Sequence, residues 1–215
     1  MIALRDAFAR ALNPRYCWLA AAERRPGARI LDVGAGSKDG RLAKAYWPGC
    51  WIEGVNIEPP PLEGGFDAYH QIDLNLSSLD FLDAASFDYV VSSHLIEHLQ
   101  DGLKAVDQLA DRVKHGGLLD LEWPSPASQS FPIRGLGLNF YDDSTHVRTY
   151  RPDDVVDLLR DRGFEILQAG TRRHWARVLF APLLALRRCL ALRRLVLYDF
   201  WDLTGFCLVV RARRV

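Results

Sequence analysis

The chain has 215 residues, of which 49% are hydrophobic and 25% charged, and this composition excludes a disordered or fibrous protein. Its 27 basic and 27 acidic residues give no net charge, which excludes a uniformly basic nucleic-acid coat protein, so we expect no DNA partner. The charge is unevenly distributed, however, because from Arg160 onward there are twelve arginines against four acidic residues.

The hydrophobic pattern predicts helices and strands that alternate along the chain. Helices are predicted at 2–12, 15–24, 41–46, 103–114 and 152–162. Strands are predicted at 29–33, 51–57, 68–73, 87–92, 118–122, 164–168 and 207–211. Gly116 and Gly117 are expected to end the helix before them as a left-handed cap. The alternation predicts an α/β fold with a mostly parallel sheet and helices on both faces.

The predicted organisation is an N-terminal helical segment at 1–26 and one domain at 27–215. The irregular stretch at 124–150 is predicted to be a substrate loop, because long irregular loops in compact domains are often functional. A basic amphipathic helical insertion is predicted at about 173–198, where Pro182 is expected to break or start a helix. Its arginines and leucines are compatible with peripheral contact with a membrane surface, a substrate lid, a dimer contact, RNA binding, or a helix packed on the sheet.

A glycine-rich turn follows the first predicted strand. Gly34 and Gly36 allow the backbone to turn tightly and to approach a ligand, at the edge where open α/β sheets bind ligands. A dinucleotide fingerprint would place its third glycine at Asp39, and the Gly-Lys-Ser/Thr of a phosphate loop is absent. The turn therefore indicates a nucleotide-like ligand without a polyphosphate, and a nicotinamide oxidoreductase is disfavoured.

Several motifs occur in a fixed order: ILDVGAGS at 30–37, GVNIEP at 54–59, QIDL at 71–74, FDYVVSSHLIEHL at 87–99, HGGLLDLE at 115–122 and DDSTHVR at 142–148. Together they resemble the class I S-adenosylmethionine-dependent methyltransferases, and the last two resemble a bacterial subgroup acting on glycans and other small molecules. The resemblance implies a doubly wound, Rossmann-like sheet of seven strands. It also implies an enzyme that moves a methyl group from S-adenosylmethionine to a small-molecule or glycan acceptor, most readily onto oxygen.

The same resemblance assigns cofactor-binding residues. Asp32, Gly34 and Gly36 are expected to face the methionine and ribose parts. The ribose position at the end of the second strand holds Asn56 rather than an acidic residue, so Glu58 is the candidate for the missing carboxylate. Asp73 is expected to bind the adenine amino group, unless it only caps a turn. The remaining candidates, where the fourth strand opens onto the methyl donor, are Ser92 and Ser93.

Histidines supply the candidate catalytic groups. His94, Glu97 and His98 share one face if a helical turn begins after Ser93. His146 lies in a polar loop that is expected to fold over the same cleft. A methyl acceptor with a hydroxyl group needs a base, and we predict His146 in this role, followed by His98 and His94. No metal is predicted, although the four side chains together would suit a divalent ion.

Alternatives remain at this stage: an RNA methyltransferase that uses the His/Glu set for a metal, or a catalytically silent binding protein on the same fold. Asp6 and Arg10 stand where a signal peptide would be apolar, so export is not expected. The cysteines have no C-x-x-C spacing and predict free thiols in a reducing, cytoplasmic compartment. These cysteines are Cys17, Cys50, Cys189 and Cys207.

Overall fold

The computed structural model describes residues 12, 15, 18, 24–36, 38–62 and 64–215, and the helices predicted at 2–12 and 15–24 lie outside its continuously described parts. The strands are β1 (Arg29–Val33), β2 (Trp51–Asn56), β3 (Ala68–Gln71), β4 (Phe87–Ser93), β5 (Val113–Pro124), β6 (Phe164–Thr171) and β7 (Cys207–Arg214). The helices are α1 (Asp39–Tyr46), α2 (Gly102–Arg112), α3 (Pro152–Asp161), α4 (Trp175–Leu192) and α5 (Trp201–Thr204). Short 3-10 turns occur at Ile96–His98, Pro126–Ser130, Phe140–Asp142 and Tyr198–Phe200.

All seven strands form one sheet in the order β3-β2-β1-β4-β5-β7-β6. The first five strands pair in parallel, whereas β7 is antiparallel to both β5 and β6. Between β1 and β4 the strand order reverses, and such reversals in open α/β sheets create a ligand crevice at the carboxyl ends of the strands. The predicted seven-stranded, mostly parallel sheet is confirmed.

Both faces of the sheet are buried, because neighbouring residues on a strand belong to different apolar clusters. In β1, Leu31 packs into the larger cluster with Val106 of α2 and Leu159 of α3. Ile30 packs on the other face with Ala43 of α1. The central strands are therefore nearly continuous apolar runs rather than alternating ones.

The predicted helix cap at Gly116 and Gly117 is wrong. Helix α2 ends at Arg112 and β5 starts immediately, with Val113 paired to Phe87. The next pair joins Tyr89 to Leu118, so the register shifts. Gly116 has a φ of 74° and serves this irregularity in the strand.

The break expected at Pro182 is also wrong. Helix α4 continues through this residue for 18 residues in all. Ala181 and Ala185 on its inner face are buried, whereas Pro182 is exposed. Packing of the inner face therefore keeps the helix intact despite the missing N–H of proline.

Candidate active site

A cavity of about 650 Å³ opens at the carboxyl ends of the parallel strands. Its volume lies within the range of roughly 300–1,000 Å³ typical of small-molecule sites. The lining comes from the strand ends, the N-terminal residues 12 and 15, the start of α1, the loop at 124–150 and the segment after β6. The lining residues are Leu12, Arg15, Lys38, Asp39, Leu42, Ser93, His94, His98, Glu122, Gly137, Asn139, Asp142, Asp143, His146, Arg172, Arg177, Tyr198 and Trp201.

The glycine turn is held by its neighbours in the sheet. The N–H of Gly34 donates to the Val55 carbonyl at 2.8 Å, and Gly34 has a φ of 81° that other residues rarely adopt. A Cβ at this position would lie 3.2 Å from the Cβ of Leu95. The N–H of Gly36 donates to Oδ2 of Asp39 at 2.6 Å. The turn is thus fixed by β2 on one side and by Asp39 on the other.

Asp32 sits beneath this turn as a fully buried carboxylate. Arg15 bridges Asp32 to Asp39, because its Nη1 lies 3.0 Å from Asp32 Oδ2 and 2.6 Å from Asp39 Oδ2. Burial raises the pKa of Asp32 to about 7, although Arg15 counteracts this shift. Oδ1 of Asp32 has no hydrogen-bond partner among the described residues and can accept one.

The residues expected to bind ribose and adenine are engaged in local turns. Asn56 donates from Nδ2 to the Ala35 carbonyl at 2.9 Å, so its side chain supports the glycine turn. Its Oδ1 accepts from the N–H of Glu58 at 3.3 Å, and Glu58 itself is exposed. Asp73 Oδ1 accepts from the N–H of Asn75 at 2.8 Å, which is the turn-capping arrangement. None of the three lines the large cavity, and their contact with a cofactor stays a prediction.

The two serines at the end of β4 differ. Ser92 is buried, and its Oγ has no partner among the described residues. Ser93 lines the cavity and donates to Oε2 of Glu122 at 3.0 Å. Burial raises the pKa of Glu122, but the nearby charges of Arg172, His94 and Arg15, together with the hydrogen bond from Ser93, hold that pKa below its ordinary value.

Arg172 anchors this wall of the cavity. It donates to Glu122 Oε2 at 2.7 Å and makes two hydrogen bonds to the carboxylate of Asp202, at 3.0 and 2.8 Å. All three side chains are buried. Such an arrangement is stable only when every charge is paired, so the wall is a rigid polar surface rather than a mobile one.

His94 does not begin a helical turn as expected. Its φ is 55°, and the 3-10 turn starts at Ile96. Its Nδ1 nevertheless lies 3.2 Å from Oε1 of the buried Glu97. Burial opposes protonation of His94, but Cys207 and Glu97 outweigh this effect and raise its pKa. A cationic His94 paired with Glu97 is therefore a poor proton acceptor.

His146 and His98 have defined tautomers. Nδ1 of His146 lies 2.5 Å from the Phe140 carbonyl oxygen, which can only accept, so Nδ1 carries a proton. Thr145 donates its hydroxyl proton to Asp143 at 2.6 Å and accepts from Nδ1 of His98 at 2.8 Å. When neutral, both imidazoles consequently have an unprotonated Nε2, as a general base or a metal ligand requires.

The loop that carries His146 is docked on the turn that carries His98. The N–H of Val147 donates to the Glu97 carbonyl at 2.7 Å. The two imidazole rings lie 4.7 Å apart between centroids. Asn139 ties the loop to Phe131 by a hydrogen bond of 2.6 Å from Nδ2 to the carbonyl oxygen. The structure thus brings together the two histidines that the sequence placed nearly 50 residues apart.

Three side chains in this region have metal-ligand spacing. Glu97, His98 and His146 each offer one ligand atom, and these atoms lie within 4.8 Å of one another. Oε2 of Glu97 has no hydrogen-bond partner among the described residues. His94, the fourth member of the set considered from the sequence, pairs with Glu97 instead.

Several cavity residues were not identified from the sequence. Glu122 ends the HGGLLDLE motif at the carboxyl end of β5, and its position on a strand of the crevice was a usable signal. From the sequence, Asp39 was considered only because it occupies the position where a dinucleotide-binding motif has its third glycine. Arg15, Arg172 and Asn139 carried no local signal, because their partners are distant in the sequence.

Comparison with protein families matches residues 4–169 to the family described as "Methyltransferase domain". A ubiquinone biosynthesis O-methyltransferase of Xanthomonas campestris pv. campestris (strain B100) is 30% identical over 139 residues, which are 60% of this chain and 57% of that protein. The protein of the same name from Xylella fastidiosa (strain M23) is 26% identical over 179 residues, 76% of this chain and 72% of that protein. The chain thus spans 57% of the length of the first of these relatives.

Solved structures share the fold at lower identity. A SAM dependent methyltransferase from Archaeoglobus fulgidus superposes with a TM-score of 0.61 at 20% identity, over 100% of this chain and 95% of that one. An S-adenosylmethionine dependent methyltransferase from Mesorhizobium loti gives a TM-score of 0.60 at 19% identity, over 97% and 96% of the two chains. The family match confirms the predicted resemblance to methyltransferases, and the solved structures share the fold.

Proposed function

The chain belongs to the methyltransferase domain family, and we propose that it transfers a methyl group from S-adenosylmethionine to an oxygen of a small-molecule or glycan acceptor. The observation that carries this proposal is the cavity itself. On one side lies the buried cluster of Asp32, Arg15 and Asp39, and on the other lie His98 and His146, whose neutral forms have a free Nε2. The names of the bacterial relatives, which are O-methyltransferases, support oxygen as the accepting atom.

The residues present fit the proposed cofactor. S-adenosylmethionine has an ammonium group and a sulfonium but no phosphate, so a site with buried carboxylates suits it. Oδ1 of Asp32 is buried without a partner among the described residues and would accept a hydrogen bond from the ammonium group. Arg15 lines the cavity and offers a guanidinium to the ligand's carboxylate. The backbone of Gly36 is connected to the cavity wall by its hydrogen bond to Asp39, which is also a lining residue. When bound, the cofactor supplies an electrophilic methyl group.

The chain's own residues would then handle the acceptor proton. His146 Nε2 takes the proton of the acceptor hydroxyl, while the hydrogen bond from Nδ1 to the Phe140 carbonyl fixes the ring. The imidazolium that forms lies 4.0 Å from Oδ2 of Asp143, which stabilises its charge. His98 lies close enough to serve as a second acceptor. His94 is the weakest of the three candidates, because its pKa is raised.

A divalent cation is a second candidate for the same site. The spacing of Glu97, His98 and His146 favours it, and such an ion would orient the acceptor oxygen and lower its pKa. We favour the metal-free base because one oxygen of Glu97, Oε1, is already paired with His94, which leaves only Oε2 for an ion. An RNA acceptor with a metal-dependent reaction is the corresponding alternative function.

The test is methyl transfer from labelled S-adenosylmethionine to a panel of phenolic, sugar and RNA hydroxyls. His146→Ala should lower kcat at least about a hundredfold and leave affinity for S-adenosylhomocysteine nearly unchanged. The matched control is His115→Ala, since His115 is exposed and does not line the cavity.

Chelator separates the two versions of the mechanism. With a histidine base alone, chelator leaves the rate unchanged. If chelator stops the reaction and a divalent ion restores it, the metal version replaces the base. Equal rates for wild type and His146→Ala would reject both versions, and binding of S-adenosylhomocysteine without transfer to any acceptor would favour a silent binding protein.

The described cysteines, Cys50, Cys189 and Cys207, form no disulfide with one another, which supports a reducing cytoplasmic compartment.

A further inference from the structure

Helix α4 exposes its apolar face. Trp175, Leu179, Leu183, Leu186 and Leu190 are each between 57% and 75% exposed. Their spacing of three and four residues places all five on one side of the helix. Contiguous apolar side chains of this size on a surface mark a contact with another molecule, whereas scattered ones do not.

The inner face of the same helix is formed by other residues. Ala181 and Ala185 are the buried residues of α4. Arg188, which is half-buried, reaches inward to Asp199 with hydrogen bonds of 2.8 and 3.0 Å. The helix is therefore attached by these alanines and by two ion pairs, Arg177–Asp202 and Arg188–Asp199, while the five exposed apolar side chains point outward. An ordinary surface helix has the reverse arrangement.

The charged residues around the apolar stripe, which consists of Trp175, Leu179, Leu183, Leu186 and Leu190, are all positive. The segment from 173 to 198 contains six arginines and no acidic residue. Arg187, Arg193 and Arg194 are exposed, and no ion pair is found for them within the described part of the chain. Arginines beside a stripe of Trp and Leu are the pattern of a helix that lies in the interface of an anionic bilayer. A second copy of the helix is a poorer occupant, because it would bring like charges together.

We propose that α4 docks the protein on an anionic membrane surface, with the five-residue apolar stripe inserted and the exposed arginines at the headgroups. Within the described chain no helix is long and apolar enough to cross a membrane, so the contact is peripheral. Arg177 on the first turns of α4, together with Tyr198 and Trp201 beyond its end, lines the active-site cavity. The inner face of the helix thus adjoins the cavity, on the side opposite to the docked face. The proposal goes beyond methyl transfer, and its test does not require activity.

The experiment is flotation of the full chain with lipid vesicles. Wild type should bind phosphatidylcholine vesicles that contain phosphatidylglycerol, and more weakly vesicles of phosphatidylcholine alone. Leu179→Gln combined with Leu186→Gln should lower binding at least about tenfold. The matched control is Leu62→Gln combined with Leu76→Gln, two exposed leucines away from α4, and it should bind like wild type. Circular dichroism and thermal unfolding check that all variants fold equally.

The arginines provide a second arm. Arg187→Gln and Arg194→Gln should each weaken binding to anionic vesicles about fivefold, with little effect on neutral vesicles. Failure of the wild type to bind anionic vesicles would overturn the proposal, as would equal binding by the α4 leucine variant and its control. Light scattering tests whether a second copy of the chain covers the stripe instead. If the wild type is a dimer that does not bind vesicles, and the α4 leucine variant is a monomer, the stripe is a dimer contact.

Discussion

The two sides of the cavity are built in different ways. The glycine-turn side consists of Asp32, Gly34, Gly36 and Asp39, which are close in sequence, and the N–H of Gly36 donates to Asp39 within this stretch. The histidine side is assembled from the ends of β4, β5 and β6 and from the loop at 124–150. The first side is readable as a motif because its geometry is local. The second depends on long-range contacts, and we expect it to be more sensitive to changes far from the reacting atoms.

The largest expected effect is on the histidine side. Arg172→Ala should lower the free energy of unfolding by about 3–5 kcal/mol, because Glu122 and Asp202 would remain buried without their main cation. Urea denaturation at neutral pH measures this loss. The control is the exposed Arg187→Ala, which should change stability by less than about 0.5 kcal/mol. Equal stability of the two variants would show that the polar wall contributes nothing.

On the glycine-turn side, Asp32→Asn should weaken binding of S-adenosylhomocysteine about ten- to a hundredfold, since a charged acceptor is lost. Burial raises the pKa of Asp32 to about 7, so the carboxylate forms as the pH rises through neutrality. Wild-type affinity should therefore increase between about pH 6 and pH 8, and the variant should show no such increase. Calorimetric titrations across this range decide it, and parallel profiles for both proteins would contradict the assignment.

The contribution of Asp32 to the free energy of unfolding should change with pH in the opposite direction to its contribution to cofactor affinity. Because the pKa of Asp32 is raised from 3.8 to about 7, its favourable contribution is complete below about pH 4 and is lost as the pH rises through about 7. The difference in unfolding free energy between Asp32→Asn and wild type should thus shift in favour of the variant across this interval. Urea midpoints measured at several pH values test it. A difference that does not depend on pH would mean that Arg15 keeps Asp32 ionised throughout.

A smaller effect is expected for the anchor of the histidine loop. Asn139 is buried and holds the loop through the Phe131 carbonyl and the Tyr141 N–H, both with its side chain. Asn139→Ala should lower kcat about tenfold while cofactor affinity stays nearly constant, because only the position of His146 is loosened. The exposed Ser130→Ala in the same loop region is a suitable comparison. A loss of cofactor affinity without a loss of kcat would show that Asn139 supports cofactor binding and does not position His146.

The smallest expected effect is at Asn56. Asn56→Asp removes the donor to the Ala35 carbonyl and sets a carboxylate against that oxygen, so cofactor affinity should fall about fivefold. Tighter binding would instead show that position 56 holds the ribose directly. Glu58→Gln completes the test, since it should weaken binding only if Glu58 supplies the missing carboxylate. Both affinities are measured with S-adenosylhomocysteine.

The contrast between the two sides also explains which sequence-based predictions succeeded. The strands, the parallel sheet and the glycine turn follow from periodicity and from residues within one turn of each other. The cap at Gly116 and the break at Pro182 were wrong because a strand irregularity and the packing of Ala181 and Ala185 override local preferences. The assignment of Asn56 to ribose stays a prediction, although its amide is engaged by the glycine turn.

By itself, the sequence determined where the strands lie along the chain, that an acidic glycine turn follows the first strand, and which residue types are available for proton transfer. Each of these features is encoded within a few consecutive positions. Only the tertiary structure decided how each candidate histidine is hydrogen-bonded. The left-handed backbone of His94 and its pairing with Glu97 set it apart, whereas the Phe140 carbonyl and the Thr145 hydroxyl fix the tautomers of His146 and His98. It also decided that the leucines of α4 face outward, since hydrophobic periodicity shows that a stripe exists but not which side of the helix the sheet leaves uncovered.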